Sequence, residues 1–491
     1  MPFTMGLDIG TSAIKAVLFD TESGRITSSA KQATPLLHPR SEWSEHDPQA
    51  LWLAAASAIR EAASGRKVEA IAISGFAEAG LPLDRSMQPI YPIIAWFDER
   101  SKPQIEYVLE RKTEAELFAA TGQIIGFSFG LLKTLWLRES MPDVFKRMAM
   151  WLSVPDFMHY KLCGQIATDH TLASRTLMFD QSTKQWSPPM LEIAGISVAM
   201  LPKIQPSGTA IGHLSRASAE LTGLQEETLC VLGGHDHLCG AFACGGASSG
   251  ALVDSMGSSQ AVIAITGQFD PVAELLENGY VHYAHIVPGT YLIKGGLKAA
   301  GKALGWFGDV FNITAESADL SLLAAYDRKL PYWLPYFQGS GTPNRQPDAH
   351  AMLHGLHTGH SSGQILLALL EGFAFWLQKN IDSISRITND DPHQIIAIGG
   401  ANQNKVLQQL KAAISGKVLT VPSTPEASAV GAALLAALGC GIANSYTEAA
   451  NLNQYPSDQV HPDPGLKDII TDRYNNGYLP LSRAFPFFEN K

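Results

Sequence analysis

Short apolar runs broken by glycine recur along the chain, and they recur twice in the same order. Residues 6–20, GLDIGTSAIKAVLFD, read as an apolar strand, a Gly/Thr/Ser turn and a second strand rich in apolar residues. Across 48–64, Leu51, Ala55, Ile59 and Ala63 keep a helical spacing, with Asp47-Pro48 as a start signal. Residues 68–74, VEAIAIS, have the continuous apolar character of a buried strand and deliver the segment 75–80 at its end. Weaker helical patterns cover 99–111, 131–139 and 154–162.

A last strand of the first half precedes a repeat of the opening arrangement. Residues 228–234, TLCVLGG, predict a strand that empties into His235-Asp236-His237, with an Ala/Cys/Gly-rich helix following. Residues 251–266, ALVDSMGSSQAVIAIT, again read strand, Gly/Ser turn, strand. A long apolar helix over 365–384 leads to a strand at 394–398 ending in GGAN, and a strand–helix pair starts at 417. The run IIAIGG at 395–400 loosely mirrors AIAISG at 70–75. Two similar α/β domains, 1–247 and 248–491, with a cleft between them are the expected architecture, the boundary falling in GGASSG.

Composition narrows the class without naming it. A chain of 491 residues exceeds one ordinary core, and 46% hydrophobic with 17% charged residues is a globular profile. The net charge of −10 argues against a broad nucleic-acid or anionic-membrane surface. The N-terminus lacks a basic stretch followed by an apolar run, so no secretory signal is expected and the cytoplasm is the expected compartment. Residues 427–443, ASAVGAALLAALGCGIA, carry no charge, but they fall short of the ~20 residues of a membrane span and are rich in Ala and Gly. A small-residue helix packed inside a domain is the better reading. Cys163, Cys230, Cys239, Cys244 and Cys440 are odd in number and scattered, which suits reduced thiols rather than a disulfide framework or zinc ribbon.

Several positions could carry chemistry. Gly10-Thr11-Ser12 and Gly257-Ser258-Ser259 are turns whose backbone N–H groups and hydroxyls could cradle phosphate, or ordinary hairpin turns. Asp8 could orient Mg²⁺ through water, or be a strand-end carboxylate. No G-x-x-x-x-G-K-[ST] run occurs. Asp236, between an apolar strand and a helix, suits a proton acceptor in phosphoryl transfer, and equally a helix N-cap. Metal ligation by His235 and His237 is a third reading, without a further partner at useful spacing. Glu78, Trp96, Asp98 and Arg100 could bind a polyhydroxylated ligand, the acid accepting hydroxyls and the indole covering the C–H face. Alternatively Trp96 is core, and Asp98 and Arg100 form a loop ion pair. Gly400, Ala401 and Asn402 could support adenosine or simply make a glycine-rich turn.

In their order these motifs resemble the FGGY family of carbohydrate kinases, within the actin-like, sugar kinase and Hsp70 ATPase superfamily, over nearly the whole chain. GLDIGTSAIKAVLFD resembles the family's first phosphate loop, VLGGHDHLCGAFACG its catalytic-Asp segment and DSMGSSQAV its second phosphate loop. LPYFQGSGTPNRQPDAHAMLHGL with QILLALLEGFAF resembles its second signature, and GGANQN with TPEASAVGAALLAA its adenosine end. The resemblance implies two actin-like (ribonuclease H-like) α/β domains around a central cleft, and ATP- and Mg²⁺-dependent phosphorylation of a sugar or polyol. It implies Asp236 as base and Asp8 near Mg²⁺. Gly10, Thr11, Ser12 and Lys15 would lie on the phosphate path, with Gly257 and Ser258 completing it, and Gly400, Ala401 and Asn402 would meet adenosine.

The departures concern the acceptor. Ala77-Glu78 stands where glycerol kinases carry Arg-Glu, while Trp96 falls at a substrate-contacting tryptophan of those enzymes. Phe76-Ala77 and Asp236-His237 replace the Met-His and Asp-Asn of xylulokinases, and Gly-Ser-Gly-Thr-Pro at 339–343 replaces GERTP. A ketopentose, tetritol or similar polyol is the expected acceptor, with Glu78, Trp96, Asp98 and His237 shaping selectivity. A homodimer is the assembly to test for. The competing reading is a nucleotide- or sugar-binding sensor of the same fold. An Hsp70-like chaperone is disfavoured by the short tail after residue 442.

Overall fold

The computed structural model describes residues 2–313 and 318–484. In the first half, Phe3–Ile9 and Ala13–Asp20 form the expected antiparallel hairpin, and Phe3–Ile9 pairs in parallel with Ala70–Gly75. The full order is Ala210–His213, Leu229–His235, Ala70–Gly75, Phe3–Ile9, Ala13–Asp20, Arg25–Ala33. In the second half, Ala251–Met256 and Gln260–Thr266 form the corresponding hairpin, with Gln394–Ile398 parallel to its first strand. That sheet has seven strands, the hairpin flanked by Tyr291–Leu297 and Val281–Ala284 on one side and by Leu419–Pro422 and Ser457–Val460 on the other. The same topology in both halves is the duplication that the repeated strand–turn–strand pattern predicts.

Local chemistry sets most element boundaries. The helix Pro48–Ala63 starts where Asp47 accepts the Ala50 N–H at 2.6 Å. The helix expected over 99–111 is only Gln104–Leu109. Upstream, Asp98 captures the Arg100 N–H, and Pro103 has no N–H to give, so the helix begins after it.

The two sheets share one apolar layer. The helices Asp236–Ala243 and Ala427–Gly439 pack together with Val17, Ala70 and Val231 of the first sheet and Val253 and Ile396 of the second. Small residues make this contact possible. A Cβ on Gly6 would sit 1.7 Å from the Ala429 carbonyl oxygen, and one on Gly431 2.0 Å from that of Cys239. The charge-free segment is therefore a buried helix, and no helix among the described residues is long and apolar enough to cross a membrane. All five cysteines are unpaired, as expected.

One buried carboxylate gives the fold a pH dependence. Asp156 caps the helix Val154–Cys163 from inside and is 2% exposed. Burial pushes it up to about 7, against the hydrogen bonds from Ser153 and Thr168 that hold it down. Between about pH 4 and 7 the folded chain keeps a proton that the unfolded chain has released, so this group's contribution is lost as pH rises through 7. Comparing urea unfolding at pH 4.5 and 7.5 should show a larger loss for wild type than for Asp156→Asn. Equal losses would remove Asp156 as the source.

Candidate active site

Three parallel strands end at the same edge of the first sheet, with Ile9 opposite Gly75 and Gly75 opposite His235. This register gathers Asp8, the turn that carries Glu78, and Asp236, residues far apart in sequence. The Ser74 hydroxyl donates to Asp8 Oδ1 at 2.9 Å. Burial and the neighbouring Asp236 charge push Asp8 up to about 7, against the pull of Ser74 and Lys15. Asp236 opens the helix Asp236–Ala243, and its Oδ1 accepts the N–H of His237 at 2.6 Å. His235 Nε2 lies 3.3 Å from the same carboxylate, and burial, then the field of His237, keeps His235 well below the usual histidine range. His235 is thus neutral at pH 7, with Nδ1 buried and unpartnered. Donor atoms of His235, Asp236 and His237 lie within 4.8 Å of one another, the group a metal-ligand reading would use.

Beside these groups lies a buried polar cluster. Glu78 adopts φ 64°, a left-handed conformation costly for a side chain with Cβ. Arg175 Nε donates to Glu78 Oε1 at 2.7 Å and Nη2 donates to the same oxygen, while Nη1 reaches Gln123 Oε1 at 2.5 Å. The guanidinium also lies 5.4 Å from the Tyr283 ring. Gln123 Nε2 and Tyr283 Oη are buried without partners. Lys294, on Tyr291–Leu297, is within the electrostatic reach of Arg175, Glu78 and Asp236. Sequence reasoning passed over Arg175, Gln123, Tyr283 and Lys294; each is a lone residue in its own segment, and Tyr283 and Lys294 come from the other half of the chain.

Trp96 and Asp98 separate. Trp96 is 39% exposed rather than core, and its indole N–H donates to Thr11 Oγ1 at 3.1 Å, tying it to the first glycine turn. The expectation that Asp98 contacts substrate is corrected. Its carboxylate is fully buried and accepts the Ser44 N–H and three N–H groups of Arg100, which also pairs with Glu45 and stacks on Trp43. Asp98 and Arg100 are the loop ion pair that sets the Trp96 turn. His237 is exposed to solvent at the start of its helix.

In the second half, Gly257, Ser258, Gly400 and Ala401 line one cleft of about 1080 Å³, together with Gly301, Lys302, Gly305 and Lys405. Cβ atoms on Gly257, Gly305 and Gly400 would meet nothing within 4 Å, so the cleft floor is open backbone. On the helix Ala300–Phe311, Gly301, Gly305 and Gly308 fall on one face, a spacing from which that wall could have been read. Asn402 is a second correction. Its side chain is fully buried, donating to the backbone oxygens of Asp254 and Ile398 and accepting from the Lys411 ammonium. It holds the turn from beneath instead of facing the cleft. On the other side, Gly10 N–H bonds Ala13 O at 3.1 Å, Ser12 is exposed, and Lys15 pairs with Glu426 at 2.6 Å across the two halves.

These donors fit a hard divalent cation and a phosphate chain. The Asp236 charge acts unfavourably on Asp8, a repulsion that a bound cation would relieve, and Asp8 Oδ2 faces the Cβ-less Gly10.

The family description "FGGY family of carbohydrate kinases" matches through its N-terminal domain at residues 3–243 and its C-terminal domain at 246–440. The chain is 29% identical over 462 residues to a xylulose kinase of Bacillus subtilis, covering 92% of this chain and 91% of the relative. It is also 29% identical over 476 residues to a glycerol kinase of Gloeobacter violaceus, covering 95% and 93%. In fold it is similar to a xylulose kinase from Rhodospirillum rubrum (TM-score 0.89, 23% identity, 99% of both chains covered) and to a glycerol kinase from Plasmodium falciparum with ADP (0.87, 22%, 99% of both).

Proposed function

Since the chain belongs to the FGGY family of carbohydrate kinases, we propose that it transfers the γ-phosphoryl group of ATP to a hydroxyl of a small sugar or polyol, with Asp236 taking the proton. The observation that carries this reading is one convergence of groups. Asp236 stands at a strand end with His235 Nε2 against its carboxylate, and within its electrostatic reach the Glu78–Arg175 pair adjoins Gln123 and Tyr283, whose Nε2 and Oη are buried polar atoms without partners. Orphaned buried polar atoms are costly, and a ligand rich in hydroxyls satisfies several at once.

In this reaction the acceptor oxygen attacks the γ-phosphorus, the bond to the β-bridging oxygen breaks, ADP leaves, and the hydroxyl proton passes to an Asp236 oxygen. Asp236 stands at the start of the helix Asp236–Ala243, the end of a helix that carries partial positive charge. His235, held neutral, steadies Asp236 without competing as a full charge. Trp96 would cover the C–H face of the acceptor, and Glu78 and His237 would select among its hydroxyls. Gly10, Thr11 and Ser12 with Gly257 and Ser258 would bind the phosphates, Lys15 would lie along their path, and Gly400 and Ala401 would take the adenosine. Mg²⁺ held through Asp8 would supply charge neutralisation on the phosphate chain.

Unpaired cysteines and the absence of a broad cationic charge accord with a cytoplasmic small-molecule enzyme. The domain division at 247/248 and a homodimer remain part of the same proposal. A panel of four- to six-carbon sugars and polyols, assayed for ATP-dependent ADP release, tests it. Stimulated release by at least one is expected; a folded, ATP-binding protein that no acceptor stimulates would favour the sensor reading.

A further inference from the structure

Two turns line the cleft of the second half, and one buried ammonium ties them together from beneath. Gly257 and Ser258 follow the strand Ala251–Met256, while Gly400 and Ala401 follow the strand Gln394–Ile398. Lys411, on the helix Lys405–Ser415, is fully buried under both. Its ammonium donates to Asp254 Oδ2 at 2.5 Å and to Asn402 Oδ1 at 2.6 Å, and lies 3.7 Å from Met256 Sδ, so three acceptors meet its three protons. Asp254 and Met256 lead into the turn at 257–259, and Asn402 stands at the end of the turn at 399–402. Gln260, just past the first turn, donates to Asp254 Oδ1 at 2.7 Å, and Gln408 donates to the Asn402 carbonyl at 2.7 Å. The turns also meet backbone to backbone: a Cβ on Gly399 would sit 2.5 Å from the Met256 carbonyl oxygen.

We propose that Lys411 is a positioning residue for the nucleotide: through Asp254 and Asn402 it fixes the separation between the turn that takes phosphate and the turn that takes adenosine. This rests on the kinase reading above and concerns a residue that touches no ligand itself. For stability alone an enclosed ion pair is a weak device, because apolar residues of similar volume often serve as well. What it contributes is direction. Its bonds are short and charge-assisted, and they run from one ammonium to the supports of both turns. A ligand long enough to reach both turns binds well only when they are held at the matching distance, and that precision comes from the residues behind the contact surface.

The test measures calorimetric binding of Mg²⁺-ATP, denaturant midpoints and initial rates for wild type and four variants. Lys411→Met and Asp254→Val each leave one buried charge unpaired, and Lys411→Met/Asp254→Val removes both charges. Asn402→Ala leaves the ion pair in place and cuts only its link to the second turn. The two charge-stranding variants should lose stability and the double variant should recover most of it. All four should bind ATP about 10–100-fold more weakly, the range for losing the outer partners of a binding group. In turnover the loss should fall on KM for ATP, with kcat and the acceptor KM little changed. A double variant that regains ATP affinity along with stability would show that the pair serves only the core, and would overturn the inference. So would an Asn402→Ala protein that binds ATP as wild type does. Weakened ATP binding in a stable double variant, where no acceptor stimulates even wild type, would sustain the inference and sink the kinase reading. A wild type that binds no ATP would sink both.

Discussion

Asp236→Asn is expected to lower the rate of phosphoryl transfer by about 10²–10⁴-fold, the range of a positioned general base, while ATP still binds. The amide keeps the carboxylate's shape and can still accept the His237 N–H, so the start of the helix Asp236–Ala243 should hold. What it loses is the ability to take a proton. Nucleotide binding should largely persist, since the cleft proposed for adenosine, around Gly257, Ser258 and Gly400, is lined by the other half. The measurement is single-turnover transfer at saturating substrate beside nucleotide binding. Loss of rate with retained binding is expected, whereas near-normal transfer would remove Asp236 from the base role.

Arg175→Met is expected to have the largest effect on the stability of the polar cluster around Glu78. Glu78 and Arg175 keep only 10% and 15% of their side-chain surface exposed. Removing one partner strands the other as a buried charge, which costs about 3–5 kcal/mol. Glu78 also sits in a left-handed backbone conformation that its bonds to Arg175 help to hold. The double variant Arg175→Met/Glu78→Gln removes both charges and should recover much of the loss, because its remaining penalty is a polar group rather than an ion. Denaturant midpoints of the four proteins form the cycle. A single variant as stable as wild type, or a double variant no better than the single, would show that the pair does not work this way.

Much of the fold was legible because the hydrophobic pattern and glycines agree. Gly10 and Gly257 mark the turns of two hairpins, and the strand 394–398 falls at the predicted residues. The positions of Asp8 and Asp236 at the ends of two such strands were legible in the same way. The site was misread where turn position does not say which way a side chain points. Asn402 follows two glycines, yet its amide turns inward because Asp254 and Lys411 form a buried pair beneath it. Asp98 shares a loop with Trp96, yet the Arg100 two residues on claims its carboxylate, leaving only the indole exposed. Arg175 and Lys294 left no signal in sequence, since lone cations look like ordinary surface residues until folding buries them.

The most direct test of the central claim is phosphorus NMR of the purified protein with Mg²⁺-ATP and the acceptor that best stimulates ADP release. A new phosphate-monoester resonance should grow in step with ADP, one for one, and should not form with Asp236→Asn. ADP accompanied only by inorganic phosphate, with no monoester, would contradict phosphoryl transfer to a hydroxyl and leave a nucleotide hydrolase or sensor in its place.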